Sequence, residues 1–265
     1  MKNRNAVPKA LAITLAIALS ASSVTAKKKS PLSDEESAAI TARGRMLAEY
    51  ETAASHAIVA LNAVHPEPGA ADHYVARKNP GGWVVVFGRF AEQHDKFLVV
   101  YEATPGASGD AFSVKKDDPP KADDGYYYFG ARAIDTARQD FRGPKQPYHV
   151  AVLPAESSQM YVYIYPIQSE AGVYPLGGDI RYRLSSDGSA IVERRQLHKT
   201  IMESRGSVPK GAKIVAGNHS HFLSDIPEDT DVFYVLIRKP SMPEYVGAGG
   251  HVYEIQEDGT IKVLQ

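Results

Sequence analysis

No cysteine occurs anywhere in the sequence. Disulfides are therefore unavailable, and the chain must be held by its core. A thiol nucleophile and a thiolate-ligated metal are excluded as well. Any metal site has to be built from His, Asp, Glu or backbone oxygen. The constraint matters because the first residues read as an export leader. Lys2, Arg4 and Lys9 flank the start of the apolar run ALAITLAIALSA, which is too short to span a bilayer comfortably. Val24-Thr25-Ala26 supplies small residues at a cleavage point. The expectation is a signal peptide over residues 1–26, no stable membrane span after cleavage, and a periplasmic or extracellular protein. Without the leader's three basic residues the formal charge moves from −1 to −4. That mild acidity disfavours nucleic acid as a partner held by general charge.

The hydrophobic period then changes along the chain. Ser33 followed by Glu36 forms a capping box, with Asp34, Glu35 and Glu36 at the positive end of the helix dipole. Ile40, Leu47, Ala54, Ile58 and Leu61 repeat at helical spacing, and Pro66 and Pro68 close the segment. GGWVVVFGRF and KFLVVYEA read as a hairpin across AEQHD. TPGASGDAFSVKKDDPPKADDG reads as a long polar surface loop. ARAIDTARQDF is a second helix, and PYHVAVLPA and QMYVYIYPI are strands. Asp187-Gly188 and Asp258-Gly259 mark two further hairpin turns, because a tight turn wants positive φ. The order predicts an α+β fold of antiparallel β-sheets, with an N-terminal helix and a second helix packed on one face. The stretch SRGSVPKG (204–211) is the candidate boundary between a main domain (27–205) and a smaller C-terminal β-rich subdomain (206–265).

The most informative stretch is GNHSHFLSDIPEDTD. Residues i and i+2 of a strand share a face, so His219 and His221 can present both imidazoles together. They suit zinc, which accepts His nitrogen and carboxylate oxygen. A third ligand has to come from nearby, with Asp225, Asp229 and Asp231 as candidates. His198, in RRQLHKT, is a candidate extra ligand, although a lone histidine after a strand is more often structural. The competing reading makes the histidines hydrogen-bonded residues of a turn.

His219-Ser220-His221 followed by Pro227-Glu228-Asp229-Thr230-Asp231 resembles the motif of the JAMM (MPN-plus) metallopeptidases, and the likeness covers roughly the last fifth of the chain. The resemblance implies zinc held by His219, His221 and Asp231. It implies hydrolysis of an amide bond in peptide or peptidoglycan, the metal activating a water and a glutamate carrying its proton to the leaving amine. Glu102 and Glu193 are the positions best placed to serve as that glutamate. Glu228 stands in the family's serine slot and Phe222 where proline is common. The interval from His221 to Asp231 is one residue short of the usual pattern. The family places a helix after the aspartate, whereas DVFYVLIRKP reads as a strand.

Tyr161, Tyr163 and Tyr165 alternate along MYVYIYP and share one face. They either pack in the interior or form a binding platform for a peptide or a cell-wall ligand, to which Tyr126-Tyr127-Tyr128 would add. Gly177-Gly178-Asp179 reads as a strand-entry turn rather than a phosphate or calcium loop. No Gly-x-Ser-x-Gly elbow is present. Two functions follow: a non-enzymatic binding module of the cell envelope, or a JAMM-like zinc hydrolase.

Overall fold

The computed structural model describes residues 31–106, 111–203 and 214–264. The leader (1–26) and the whole boundary segment (204–211) lie outside the described residues. In chain order the elements are helix α1 (Asp34–Ala63), strands β1 (His73–Asn79), β2 (Gly82–Phe90), β3 (Phe97–Pro105) and β4 (Phe112–Asp123), and helix α2 (Tyr126–Asp140). Strands β5 (Tyr148–Pro154), β6 (Met160–Pro166), β7 (Pro175–Gly177), β8 (Ile180–Leu184), β9 (Ile191–Gln196) and β10 (Ile201–Glu203) follow. Strand β11 (Gly217–Ser220), helix α3 (Asp229–Ile237) and strands β12 (Glu244–Ala248), β13 (His251–Ile255) and β14 (Ile261–Val263) complete the chain. This is an α+β fold with an N-terminal helix. Three four-stranded sheets run β1-β2-β3-β4, β5-β6-β8-β9 and β11-β12-β13-β14, and β7 pairs with β10. Every pairing is antiparallel except that of β11 with β12.

The capping box forms as read: the Glu36 N–H donates to Ser33 Oγ at 3.2 Å, and the Ser33 N–H donates to Glu36 Oε2 at 3.1 Å. Both Asp-Gly turns sit where expected, with positive φ at Gly188 and Gly259.

Three elements depart from the sequence reading. Most of the polar segment before α2 is not a loop but the edge strand β4, paired with β3 from Pro105↔Phe112 to Phe97↔Asp123. Prolines and charged side chains are tolerated on a sheet edge, which masks a strand that lacks apolar alternation. Helix α2 begins at Tyr126, earlier than its apolar pattern suggests. The N–H groups of Tyr127 and Tyr128 both donate to Asp123 Oδ1 at 3.0 Å, so an upstream aspartate caps it. The run DVFYVLI is helix α3 rather than a strand. Residues 229–235 are all buried, and a helix enclosed on all sides carries no polar stripe to betray its period.

Two apolar cores lie side by side. The larger joins α1, α2 and the first two sheets. The smaller places Val232 and Val235 of α3 against Val246, Tyr253, Ile255 and Ile261, with Leu32 and Ile40. Helices α1 and α3 serve both cores, since Leu47 and Phe233 belong to the larger one. Their close crossing needs Gly44, where an added Cβ would meet the Asp229 carbonyl oxygen at 2.6 Å. Behind that crossing Asp229 is fully buried. Its Oδ1 accepts from Arg43 Nε at 2.9 Å, and its Oδ2 accepts from the Tyr163 hydroxyl at 2.9 Å and from Arg181.

Candidate metal centre

Four side chains from three parts of the chain converge on one point: His198, His219, His221 and Asp231. His198 follows β9, His219 lies in β11, His221 comes one residue after β11, and Asp231 is in the first turn of α3. His198 Nε2 is 2.9 Å from His221 Nε2, and His219 Nε2 is 3.1 Å from His221 Nε2. Asp231 Oδ1 lies 3.1 Å from His198 Nε2 and 3.0 Å from His219 Nε2, while Oδ2 lies 3.1 Å from His221 Nε2. Asp231 is fully buried, and His198 and His219 are nearly so.

The outer nitrogen of each imidazole is occupied. His198 Nδ1 is 2.8 Å from Asp179 Oδ1, His219 Nδ1 is 3.0 Å from Glu244 Oε1, and His221 Nδ1 donates to the Ile226 carbonyl at 3.0 Å. A carbonyl only accepts, so His221 carries its proton on Nδ1. The two carboxylates favour the same tautomer in His198 and His219. Three Nε2 lone pairs and a carboxylate therefore face one another across the same small space. Nitrogen lone pairs this close repel unless protons or a cation stand between them. The pattern of inner donors held by outer carboxylates and carbonyls is that of a metal site with its orienting partners. This cluster can hold a metal ion.

The outer partners are themselves fixed. Glu244 Oε2 accepts from Arg238 Nη1 at 2.9 Å. Asp179 Oδ1 also accepts the His198 N–H at 3.0 Å, from a turn in which Gly177 and Gly178 both have positive φ. The Glu228 N–H donates to Asp231 Oδ2 at 2.7 Å, tying the carboxylate to the start of α3.

Electrostatics agree with this picture of a centre that attracts positive charge. Burial opposes a charged His198, yet Asp179 and Asp231 outweigh it and raise the imidazole to about 11. Burial likewise opposes a charged His219, but Asp231 and Glu244 raise it to about 9. Burial pushes Asp231 up, and the three histidines overcome that and hold it well below the ordinary carboxylate range.

The structure thus brings together His219, His221 and Asp231 and adds His198. Of the other candidate third ligands, Asp229 is engaged with Arg43, Arg181 and Tyr163, and Asp225 is not among the four converging residues. Glu102 lies in β3, in a different sheet, opposite Val86 and Lys115. Glu193 lies opposite Arg183 in the β8–β9 pair and accepts from its Nε at 3.1 Å. Glu228 is buried beside the centre, but its Oε1 is 2.6 Å from Arg195 Nη2. Burial pushes its carboxyl up against that ion pair.

The tyrosine stripe is interior. Tyr161, Tyr163 and Tyr165 are all buried, and all seven residues of β6 are enclosed. Their hydroxyls donate to Glu156 at 2.9 Å, Asp229 at 2.9 Å and Glu51 at 2.6 Å. Among the described residues no helix is long and apolar enough to cross a membrane. Comparison with family models, with curated proteins and with solved structures returned no match.

Proposed function

We propose that this is an exported, non-enzymatic binding module whose fold is completed by one zinc ion in a closed site of three histidines and one aspartate. One observation carries the reading: His198 brings a fourth candidate donor to the cluster, which would fill the position that catalytic zinc keeps for water. Zinc suits the donor set, since imidazole nitrogen and carboxylate oxygen are both among its ligands and four donors match its tetrahedral preference. A tetrahedral zinc with bonds of about 2.0–2.1 Å separates its ligand atoms by roughly 3.4 Å; the His198–His221 and His219–His221 nitrogens and the Asp231 Oδ1 contacts to His198 and His219 lie at 2.9–3.1 Å, and one donor atom from each of the four residues lies within 4.8 Å of the others. The ion would join the end of β9 to β11 and α3, and so tie the larger core to the smaller one. In a chain without cysteine it takes the part a disulfide would play.

A second reading keeps the JAMM-like amide hydrolase acting on peptide or peptidoglycan. It draws support from His219 and His221 at the end of a strand and Asp231 in the first turn of a helix, as in that family's motif. It requires His198 to leave the centre and a carboxylate to be free as base. Asp179, Glu244 and Glu228 are each bound to another group.

The test is metal analysis of the purified mature protein beside a His219→Ala, His221→Ala double variant, with thermal unfolding in chelator. One zinc per chain, absent from the variant, and a lower melting temperature in chelator support the closed site. No zinc, with unchanged melting, overturns it. Zinc together with hydrolysis of peptide or peptidoglycan amides supports the second reading.

A further inference from the structure

Each imidazole of the centre is oriented from behind, but not by the same kind of group. His198 and His219 face side-chain carboxylates, Asp179 and Glu244, whereas His221 Nδ1 donates to a main-chain carbonyl, that of Ile226, at 3.0 Å. A carboxylate can follow a ring by rotating about its own bonds. A carbonyl points where its peptide plane points. The orientation of His221 is therefore only as firm as the turn that carries Ile226.

That turn has few apolar anchors. Phe222, Leu223 and Asp225 are exposed. The His221 N–H donates to the Gly247 carbonyl at 2.8 Å, which fixes the backbone of His221 beside β12 but not its ring. Ile226 packs its side chain against the smaller core. Between these two points one side chain closes the turn. The Ser224 hydroxyl donates to the Ile226 carbonyl at 2.7 Å and accepts from the Ile226 N–H at 3.2 Å. A serine bonded to the backbone two residues on holds a turn of its own chain. The carbonyl that meets His221 is thus aimed by Ser224.

We propose that Ser224 is a positioning residue of the metal centre: through the Ile226 carbonyl it keeps the His221 ring turned toward the ion, and so governs how fast the metal is released. A cage of several donors loses its ion one donor at a time. A ring held in place rebinds before the next donor lets go, because its effective concentration at the ion stays high. A ring free to rotate leaves the other three donors to hold the ion alone. The proposal rests on the zinc reading.

The test is zinc transfer from the full purified protein to an excess of a chromophoric chelator, timed by stopped-flow absorbance, in the wild type, Ser224→Ala and Ser224→Thr. Ser224→Ala should release zinc about tenfold faster, the effect of losing about one good hydrogen bond. Ser224→Thr keeps the hydroxyl and should release zinc at close to the wild-type rate. Thermal unfolding of the metal-free proteins separates positioning from a general role in the fold: without zinc, Ser224→Ala and the wild type should melt together. Release at the wild-type rate in Ser224→Ala would overturn this proposal alone. So would release from Ser224→Thr as fast as from Ser224→Ala, or a melting temperature lowered as much without zinc as with it. A wild-type protein that takes up no zinc would overturn it together with the zinc reading.

Discussion

His198 and His221 bring their Nε2 atoms to within 2.9 Å of each other, although 23 positions separate them in the chain. Each ring is held from behind, one by Asp179 and the other by the Ile226 carbonyl, so the short approach is imposed by the fold. His198→Ala should therefore weaken zinc binding as strongly as His221→Ala does, by roughly a hundredfold or more. That exceeds the roughly 10- to 100-fold expected for an outer partner. Competition titration with a chromophoric chelator measures it. Unchanged affinity in His198→Ala would remove the fourth donor from the account.

Glu244 and Asp179 orient imidazoles rather than face the centre. Glu244→Gln and Asp179→Asn should each lower zinc affinity roughly 10- to 100-fold while leaving one zinc per chain at saturation. Gly217→Ala should act through the same group, because an added Cβ would run into the Glu244 carboxylate and Arg238. The same chelator competition reads all three.

Asp229 stands two residues before Asp231 and neutralises Arg43 and Arg181 inside the protein. Asp229→Ala leaves the buried Arg181 guanidinium, and the partly exposed one of Arg43, without this counter-charge and should cost about 3–5 kcal/mol of stability, measured by urea unfolding. Zinc affinity should fall with it, since α3 carries both aspartates. A loss below about 1 kcal/mol would mean that the charge cluster is better hydrated than its burial implies.

His73 joins β1 to α2, with Nε2 2.8 Å from Asp135 and Nδ1 2.6 Å from Asp72. Burial opposes the charged ring, but the two carboxylates prevail and raise its pKa. A group raised on folding stabilises fully below its unfolded pKa, about 6.5, and loses that contribution as pH rises through the higher folded value. Urea midpoints should therefore fall from pH 6 to pH 8 more steeply in the wild-type protein than in His73→Gln. Parallel slopes would contradict the assignment.

Local signals were readable in the sequence. The Ser33–Glu36 box, the Asp-Gly turns and the alternation of β6 each depend on neighbouring residues, and each forms as expected. Elements whose character comes from their surroundings were not. β4 hides because an edge strand needs no apolar face, and α3 hides because a fully enclosed helix has no polar one. The centre divides in the same way. His219, His221 and Asp231 lie within 13 residues, and their spacing points to a metal. His198 was readable only as a candidate extra ligand, and Asp179 and Glu244 not at all; all three arrive through sheet pairing and loop return, and no short spacing could join them. The fate of the tyrosines was legible only as a choice, which the packing of α1 and α3 over β6 decides.

X-ray absorption at the zinc edge of the zinc-loaded protein tests the four-donor centre most directly. The account predicts four nitrogen or oxygen neighbours at about 2.0 Å, with the multiple-scattering pattern of three imidazoles, unchanged when azide is added. Two imidazoles with an exchangeable water, displaced by azide, would contradict it and leave His198 outside the centre.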